Sequence, residues 1–262
     1  MTALIVAEQS GKIGRITFNR PKAMNALTPE MIAEVTAALG EFERNPDVRV
    51  IVFTGEGRAF SAGGDMKFLA ELIGMTPAEV KRTVYAHFVE GVRRIKLCPK
   101  PTIAAVNGPA VGAGCEIALA CDFRIAAEEA VFSESWIRLG VIPALGGMFL
   151  LPQIVGLAKA TEMIMLGTDV GGGEAERIGL AHKAVPRDRL EAETLELANR
   201  LAEGPALAYG VVKEGLRRGM ESTLAAEWEF NVYAQAMLLN SQDFAEGVRA
   251  FREKRPPRFQ GK

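Results

Sequence analysis

The sequence predicts an α/β fold, because short runs of β-branched residues alternate with amphipathic helical stretches along most of the chain. Its 262 residues are enough for one or two domains with a buried core that needs no disulfide or metal to hold it together. Hydrophobic residues make up 48% and charged residues 24%, close to the average for globular domains. This composition excludes disordered, collagen-like and disulfide-scaffold proteins.

Six strands are predicted from apolar, β-branched runs with turn residues on either side. They lie near residues 2–8, 13–18, 48–54, 102–107, 122–126 and 181–185. A helix is predicted to begin after Thr28, whose hydroxyl can cap it, with Pro29 at the first helical position. One face of that helix is apolar and consists of Met31, Ile32, Val35, Leu39 and Phe42.

Similar signals predict the later helices. Thr76 and Glu79 have the spacing of a capping box, so a second helix is predicted to begin after Thr76. Further helices are predicted near residues 157–166, 173–179, 190–203 and 205–218, and residues 221–254 are rich in helix. No low-complexity linker divides the chain, and we therefore predict an α/β core over residues 1–202 and a helical C-terminal region over residues 203–262.

The stretch from Gly140 to Ala158 carries no charge and is long enough to span a membrane. Its four glycines and two prolines predict instead a buried loop that leads into a short helix. We therefore expect no membrane association.

The charges nearly balance, with 31 basic against 32 acidic residues and a formal charge of −1. The net charge therefore gives no electrostatic attraction to nucleic acid or to an anionic membrane. The two histidines and three cysteines lack the spacing of metal ligands, so we expect no metal site. An odd number of cysteines and the lack of a signal-like start predict a reducing compartment, the cytoplasm.

Two glycine-rich turns follow predicted strands, at residues 55–65 and 107–114. Such turns can aim backbone N–H groups at an anion or a polarised carbonyl oxygen, or they can be plain tight turns. Between Pro101 and Asp122, Glu116 is the only charged residue, so its carboxylate is predicted to be buried. Burial raises the pKa of a carboxyl and suits it to proton transfer near neutral pH, but a paired core glutamate or an exposed helix face would also explain Glu116.

A helix that begins near Gly112 would leave the N–H of Ala113 without an intrahelical partner. Glu116 lies one turn later on the same face, so an N–H donor and a carboxylate would face one ligand. The sequence has no G-x-S-x-G nucleophile elbow and only partial G-x-G-x-x-G fingerprints. We therefore expect neither acyl-enzyme chemistry nor dinucleotide binding.

Five segments, taken in this order and spacing, resemble the crotonase superfamily, the enoyl-CoA hydratase/isomerase family, over nearly the whole chain. They are Asn19–Leu27, Gly57–Asp65, Ala105–Asp122, Leu139–Pro143 and Glu246–Pro256. The resemblance implies a crotonase-type spiral of ββα units with a C-terminal helical region used for trimerisation, commonly as a dimer of trimers. It also implies an acyl-CoA thioester as the substrate, with no cofactor beyond the coenzyme A of that substrate.

In that family two backbone N–H groups hold the thioester oxygen, and the resemblance places them on Ala62 and Ala113. Donors fixed before the reaction stabilise the enolate that develops from the thioester. The residues that the resemblance implies for binding coenzyme A are Lys22, Ala23, Ala62, Gly63, Gly64, Asp65, Met66 and Lys254. By the same analogy the acyl pocket is lined by Phe68, Leu72, Trp136 and Ile142.

Hydratases of the family use two glutamates, and Glu116 matches the first of them, as the acid/base residue. The second position falls on Trp136, which cannot carry a proton but can donate a hydrogen bond or shape the acyl pocket. A third acidic position, used by some isomerases and dehalogenases, falls on Ala144. Glu134 lies two residues before Trp136 and is a candidate substitute, roughly 6–7 Å away in an extended chain.

Three functions fit these residues. The first, which the sequence favours, is a hydratase that adds water to a 2-enoyl-CoA with Glu116 as acid/base. The second is an isomerase, because moving a double bond needs one carboxylate and an apolar Trp136 would exclude water. The third is a non-catalytic relative that binds acyl-CoA, since the second glutamate is missing. The balanced charge argues against RNA as a partner.

Overall fold

Two β-sheets and the helices between them build the α/β part of the chain, and a computed structural model describes residues 3–262. In chain order the strands are β1 Ile5–Ser10, β2 Ile13–Phe18, β3 Val50–Gly55, β4 Thr102–Val106, β5 Ala110–Val111, β6 Phe123–Ala127, β7 Val131–Ser133, β8 Val170–Gly171 and β9 Lys183–Val185. The α-helices are α1 Pro29–Arg44, α2 Met66–Glu71, α3 Pro77–Val84, α4 Glu90–Leu97, α5 Ala113–Ala120, α6 Gly147–Val155, α7 Leu157–Met165, α8 Gly172–Arg177, α9 Leu190–Ala202, α10 Ala206–Glu221, α11 Leu224–Leu239 and α12 Gln242–Glu253. A π-helical segment, Tyr85–Val89, joins α3 to α4, and a 3-10 turn at Ser135–Leu139 follows β7.

The larger sheet has six strands in the order β1-β2-β3-β4-β6-β9. β1 and β2 form an antiparallel hairpin, and all later pairs of this sheet are parallel. In its centre β4 is buried at every position, as expected for a central parallel strand. The smaller sheet joins β5, β7 and β8, and β7 pairs with β5 in parallel.

All six predicted strands are found in the larger sheet, with bounds that differ from the predicted ones by at most three residues. Residue 2 of the first predicted strand lies outside the described residues. The sequence does not predict the strands of the smaller sheet. They contain only two or three residues each, which is too short to produce an alternating pattern.

Three successive turns of the chain repeat one arrangement. Each gives a parallel strand to the larger sheet, which is β3, β4 or β6, and then a short segment beside the smaller sheet. These short segments are in register, since Ser61 pairs with Ala110 and Ala110 pairs with Phe132. A helix or a 3-10 turn follows each of them. The backbone just after the three segments is therefore stacked in one place.

The predicted helix starts are confirmed. The hydroxyl of Thr28 accepts a hydrogen bond from the N–H of Met31 and caps α1, and Thr76 and Glu79 form the capping box of α3. The apolar face predicted for α1 is buried, and α1 packs on β1 and β2. The later predicted helices are present as α7 to α10, and α11 and α12 occupy most of residues 221–254.

The uncharged stretch from Gly140 to Ala158 begins as a loop, and α6 starts within it at Gly147. The sequence predicts that this loop is buried, but its first residues are exposed: Val141 is 48% exposed and Ile142 is 62% exposed. Apolar composition alone does not decide burial, because much of a protein surface is apolar. Among residues 3–262, no helix is both long and apolar enough to cross a membrane.

After α9 the chain consists mainly of the helices α10, α11 and α12, and α10 packs on α11. The final residues run back along α12, where the carboxylate of Asp243 accepts hydrogen bonds from the N–H groups of Gln260 and Gly261. The guanidinium of Arg49 binds the carbonyl of Gln260 and ties this tail to the start of β3. Large apolar side chains of these helices are exposed, among them Leu216, Leu224, Trp228, Val232, Tyr233, Met237 and Phe251. The boundary between a core of residues 1–202 and an assembly region of residues 203–262 stays a prediction.

Candidate active site

The backbone that follows the three stacked segments forms the candidate site. Gly64, Ala113 and Glu134 each lie two or three residues after the paired residue of their own segment, which is Ser61, Ala110 or Phe132. The register of the segments therefore brings a glycine-rich turn, a helix start and a carboxylate to neighbouring positions, although they are far apart in sequence.

Two buried asparagines fix the first glycine-rich turn. The side-chain amide of Asn107 donates to the carbonyls of Gly55 and Gly57 and accepts from the N–H of Gly55. The amide of Asn25 donates to the carbonyl of Ala59 at 2.8 Å. A buried polar network that is satisfied in this way holds the backbone in one conformation.

The N–H of Ala62 is not free to act as an oxyanion donor, so that prediction is wrong. It donates to the carbonyl of Met24 at 2.9 Å. The carbonyl of the same peptide unit, on Ser61, accepts from the N–H of Val111 on the opposite side. Because the C=O and N–H of a trans peptide point in opposite directions, the N–H of Ala62 faces away from β5 and the helix that follows it.

Gly64 supplies a free N–H instead. The carbonyl of Gly63 accepts from the N–H of Leu27 at 2.7 Å, so the N–H of Gly64, in the same peptide unit, points away from Leu27. Within residues 3–262 this N–H has no hydrogen-bond acceptor. Gly63 has a φ of +89°, and a Cβ there would lie 2.5 Å from the carbonyl oxygen of Val111. Only glycine suits that position.

Ala113 is the first residue of α5, and in the described part of the chain its N–H also lacks an acceptor. Gly112 positions it, with a φ of +50° and an N–H that donates to the carbonyl of Ser133 at 2.7 Å. A Cβ on Gly63 would lie 3.5 Å from the nitrogen of Ala113, so the two turns are in contact. The free N–H groups of Gly64 and Ala113 therefore belong to two turns that are in contact, as an oxyanion hole made of backbone donors requires.

Glu116 lies one turn further along α5 and is fully buried, as predicted. One carboxylate oxygen accepts the N–H groups of Leu145 at 2.7 Å and Gly147 at 2.9 Å, and the other accepts the indole N–H of Trp136 at 3.2 Å. Burial raises the pKa of Glu116, and these three hydrogen bonds offset part of the rise. The result is a carboxyl suited to exchanging a proton near neutral pH.

Glu134 is also fully buried, and within residues 3–262 neither of its carboxylate oxygens has a hydrogen-bond partner. A Cβ on Gly147 would lie 3.1 Å from an oxygen of Glu134 and 3.1 Å from an oxygen of Glu116, so about 6 Å or less separates these two oxygens. Burial raises the pKa of Glu134, and the neighbouring charge of Glu116 raises it further. A second carboxyl therefore lies beside Glu116.

Trp136 is half-buried and packs against the turn that begins α5. A Cβ on Gly112 would lie 3.0 Å from its indole ring, so a larger residue there would displace the ring. The tryptophan thus shapes the site and donates to Glu116 at the same time. Ala144 is exposed and adds no acid.

The predicted acyl-pocket residues differ in their surroundings. Phe68 stacks on Phe88 with 5.3 Å between the ring centroids, and Leu72 caps the same helix, α2, at its C-terminal end. Ile142 is 62% exposed. Of the four predicted pocket residues, Ile142 is therefore the one whose side chain is mostly exposed to solvent.

The predicted coenzyme A-binding residues 22–23 and 62–66 lie side by side, because the hydrogen bond from Ala62 to Met24 joins the two segments. Lys22 and Met66 are exposed. Asp65 is already engaged within the protein, since its carboxylate pairs with Arg20 at 3.0 Å and caps α2. A ligand could therefore contact these two segments at the exposed side chains of Lys22 and Met66.

Lys254 belongs to a different part of the molecule. It ends α12 in the left-handed conformation, with a φ of +54°. The tail that follows is tied to Arg49 before β3, whereas the glycine-rich turn follows β3, about 20 Å further along the sheet. Within the described chain, no hydrogen bond or ion pair joins Lys254 to residues 22–23 or 62–66. Its role in binding coenzyme A stays a prediction.

Sequence reasoning missed the backbone donors to Glu116 from Leu145 and Gly147, and it chose the wrong donor in the first turn. A signal was present in the glycine pairs Gly63-Gly64 and Gly146-Gly147, since paired glycines mark sharp turns with exposed N–H groups.

Comparison with known proteins decides the family. A family model described as enoyl-CoA hydratase/isomerase matches residues 8–262. The chain belongs to the enoyl-CoA hydratase/isomerase family. A Rhodobacter capsulatus member named "Probable enoyl-CoA hydratase" is 40% identical over 97% of each chain. A Syntrophomonas wolfei member named crotonyl-CoA hydratase is 36% identical, again over 97% of each chain.

Solved structures of this family have the same fold. The structure of an enoyl-CoA hydratase from Bacillus anthracis superposes with a TM-score of 0.93 at 32% identity, covering 99% of this chain and 100% of that one. The predicted crotonase-type α/β fold with C-terminal helices is therefore confirmed.

Proposed function

We propose that the protein is an enoyl-CoA hydratase, a lyase that adds water across the double bond of a 2-enoyl-CoA. The observation that carries the proposal is the buried carboxylate of Glu116, one helical turn from the free N–H of Ala113. The printed names of the R. capsulatus, S. wolfei and B. anthracis relatives, all hydratases, support it. Because the S. wolfei relative is named for crotonyl-CoA, we take a short enoyl-CoA as the substrate.

In this proposal the N–H groups of Gly64 and Ala113 hold the thioester oxygen. Attack at C3 moves electrons onto this oxygen, and two donors already fixed by the register of the segments stabilise that charge without reorganising. Loss of one such donor typically costs about 3–4 kcal/mol of transition-state stabilisation. Both donors belong to the backbone, so an alanine side chain at position 113 suits the role.

Glu116 acts as the acid/base group. Its carboxylate takes a proton from a water molecule, whose oxygen bonds to C3 while the π electrons of the double bond move into the thioester as an enolate. The protonated carboxyl then gives that proton to C2, and the thioester carbonyl re-forms. One hydrogen of the water ends on the new hydroxyl and the other on C2, so the reaction consumes no cofactor and no oxidant.

Coenzyme A takes part as the carrier of the acyl group. Residues 22–23 and 62–66 would line its adenosine end, with the exposed ammonium of Lys22 near a phosphate. Lys254 would contribute from a neighbouring subunit.

An isomerase is the second candidate function, and Trp136 is the residue that favours it. Its indole N–H donates a hydrogen bond to one oxygen of Glu116, and the ring shields that side of the carboxylate from water. A double-bond shift needs a single carboxylate that removes a proton at one carbon and returns it two carbons away.

The test uses crotonyl-CoA and a 3-enoyl-CoA as substrates, followed through the ultraviolet band of the conjugated thioester. We expect the band of crotonyl-CoA to disappear as 3-hydroxybutyryl-CoA forms. Glu116→Gln should slow this reaction by about 10²–10⁴-fold and leave the Kd for acyl-CoA nearly unchanged, because the amide cannot exchange the proton. The matched control, Glu129→Gln, changes an exposed glutamate and should retain full activity.

Other outcomes of the same assay would overturn the proposal. A stable crotonyl-CoA band, together with a band appearing from the 3-enoyl-CoA, would assign the isomerase. Binding of both substrates without any reaction would assign a non-catalytic acyl-CoA-binding protein.

We also propose that the chain assembles as a trimer or a dimer of trimers through α10, α11 and α12, because these helices expose many large apolar side chains that an interface would bury. A location in the cytoplasm fits the three cysteines, Cys98, Cys115 and Cys121, which are free thiols in a buried environment.

A further inference from the structure

A buried carboxyl that the proposed reaction does not use lies beside the acid/base residue. Glu134 is 0% exposed, and within residues 3–262 neither of its oxygens accepts a hydrogen bond. The titratable groups that face it are Glu116 and Cys115, both on α5, while α6 contributes the uncharged backbone of Gly147. No cation of the described chain lies near enough to pair with it.

The two carboxyls have opposite surroundings. Glu116 receives three N–H donors, and such donors favour the ionised form of a carboxyl. From the described residues Glu134 receives no N–H donor and no cation, and it faces only the weakly donating thiol of Cys115, so burying its ionised form is strongly unfavourable. Neighbouring carboxyls whose environments differ in this way divide into a base and a neutral acid.

Gly147 allows the two carboxyls to approach each other. A Cβ at that position would lie 3.1 Å from an oxygen of each, and 3.0 Å from Pro143. Glycine therefore leaves the space between them open, while its own N–H binds Glu116.

We propose that Glu134 is a positioning residue, which holds a proton beside Glu116 so that the pair carries a single negative charge when substrate reacts. This inference rests on the proposed role of Glu116 in the hydratase. With one charge in the site, Glu116 is the base and its neutral neighbour does not repel the enolate. When Glu134 loses its proton at alkaline pH, a second negative charge lies near the developing enolate and slows its formation.

The test compares the pH profiles of kcat/KM for crotonyl-CoA hydration in the natural protein and in Glu134→Gln, which keeps the size but cannot ionise. At neutral pH we expect the variant to be within about threefold of the natural protein. Its alkaline fall in activity should move up by about one pH unit or more, while the acid limb, which belongs to Glu116, stays in place. Glu134→Asp, which can ionise, should restore the alkaline fall, and the control Glu129→Gln should keep both limbs.

An unchanged alkaline limb in Glu134→Gln would overturn the inference, because the titration would then belong to another group. Loss of activity at every pH in a folded Glu134→Gln protein would also overturn it, since Glu134 would then act directly on the substrate.

Infrared spectroscopy of the ligand-free protein gives a readout that does not depend on turnover. At pH 8, above the acid limb that belongs to Glu116, we expect the carbonyl stretch of a protonated carboxylic acid in the natural protein and in Glu116→Gln, and its loss in Glu134→Gln. If hydration fails but this band is present, the proposed function is wrong and the proton on Glu134 stands. If hydration occurs but the band is absent, the inference is wrong and the function stands.

Discussion

At the scale of single residues, Trp136 stands at the position of the second hydratase glutamate and donates a hydrogen bond to Glu116. Its N–H lies 3.2 Å from the carboxylate of Glu116, and a hydrogen bond to the ionised form lowers the pKa of that carboxyl against the effect of burial. A tryptophan that cannot transfer a proton thus helps to keep the neighbouring glutamate in its basic form.

Replacing Trp136 tests whether its N–H lowers the pKa of Glu116. Trp136→Phe keeps the aromatic ring but removes the N–H, so the pKa of Glu116 should rise and more of the carboxyl should be protonated at acid pH. We expect the acid limb of kcat/KM for crotonyl-CoA to move to higher pH, with activity at pH 6 reduced about three- to tenfold and activity at pH 8 nearly unchanged. The control is Trp228→Phe, which changes the other tryptophan, 63% exposed on α11. A uniform loss across the pH range would instead indicate a change in substrate packing.

The residues of the site differ in how far the sequence predicts them. Glu116 is predictable because it is the only charge in a long apolar segment. Glu134 lies between two serines, and nothing in that pattern indicates a buried side chain without a partner. The choice between Ala62 and Gly64 depends on the φ of Gly63, which its residue type permits but does not determine.

At the scale of elements, α5 supplies both the N–H of Ala113 and the carboxylate of Glu116, and all of its residues are buried. The far end of this helix is closed by Arg124, whose buried guanidinium donates to the carbonyls of Ala118 and Cys121. A cation at a helix C-terminus is stabilising, and here it also satisfies carbonyls that have no helical partner.

Arg124→Met should therefore lower the free energy of unfolding by about 2–4 kcal/mol, because it leaves buried carbonyls without donors. Urea unfolding followed by circular dichroism should show an earlier midpoint with the slope unchanged. The control is Arg177→Met, which removes an exposed arginine paired with Glu174 on the surface and should leave the midpoint in place. Equal midpoints for both variants would contradict the role given to Arg124.

The elements also differ in how far the sequence predicts them. α1 and α3 carry capping residues and the strands of the larger sheet carry long apolar runs, so their positions follow from local signals. β5 and β7 exist because Ala110 pairs with Phe132 across the chain, and that contact is invisible until the turns are stacked.

At the scale of the whole molecule, α11 presents an apolar face without a partner in the described chain. Trp228 is 63% exposed, Val232 68% and Met237 77%. Since Trp228 and Val232 are four residues apart, they lie on the same face of the helix. Such a face fits an interface between copies of this chain, as the proposed assembly requires.

The double variant Trp228→Glu with Val232→Glu should disrupt this assembly, because charges buried in an interface without partners are costly. We expect sedimentation velocity at micromolar concentration to show trimers or hexamers for the natural protein and mostly monomers for the variant. Glu229→Gln, an exposed neighbour on α11, should assemble normally. A natural protein that sediments as a monomer would contradict the proposal, as would a variant that assembles as well as the natural protein.

The stacking of Ser61, Ala110 and Phe132 determines which changes of sequence this site tolerates. The separation between the free N–H groups of Gly64 and Ala113 follows from the spacing of neighbouring parallel segments, about 4.8 Å, and from the number of residues between each pairing position and its N–H group. The geometry of the site thus depends on the number of residues in these turns more than on their side chains. Many side chains along these turns can be exchanged without moving the donors, whereas one residue inserted between Ser61 and Gly64 would move one of them out of reach.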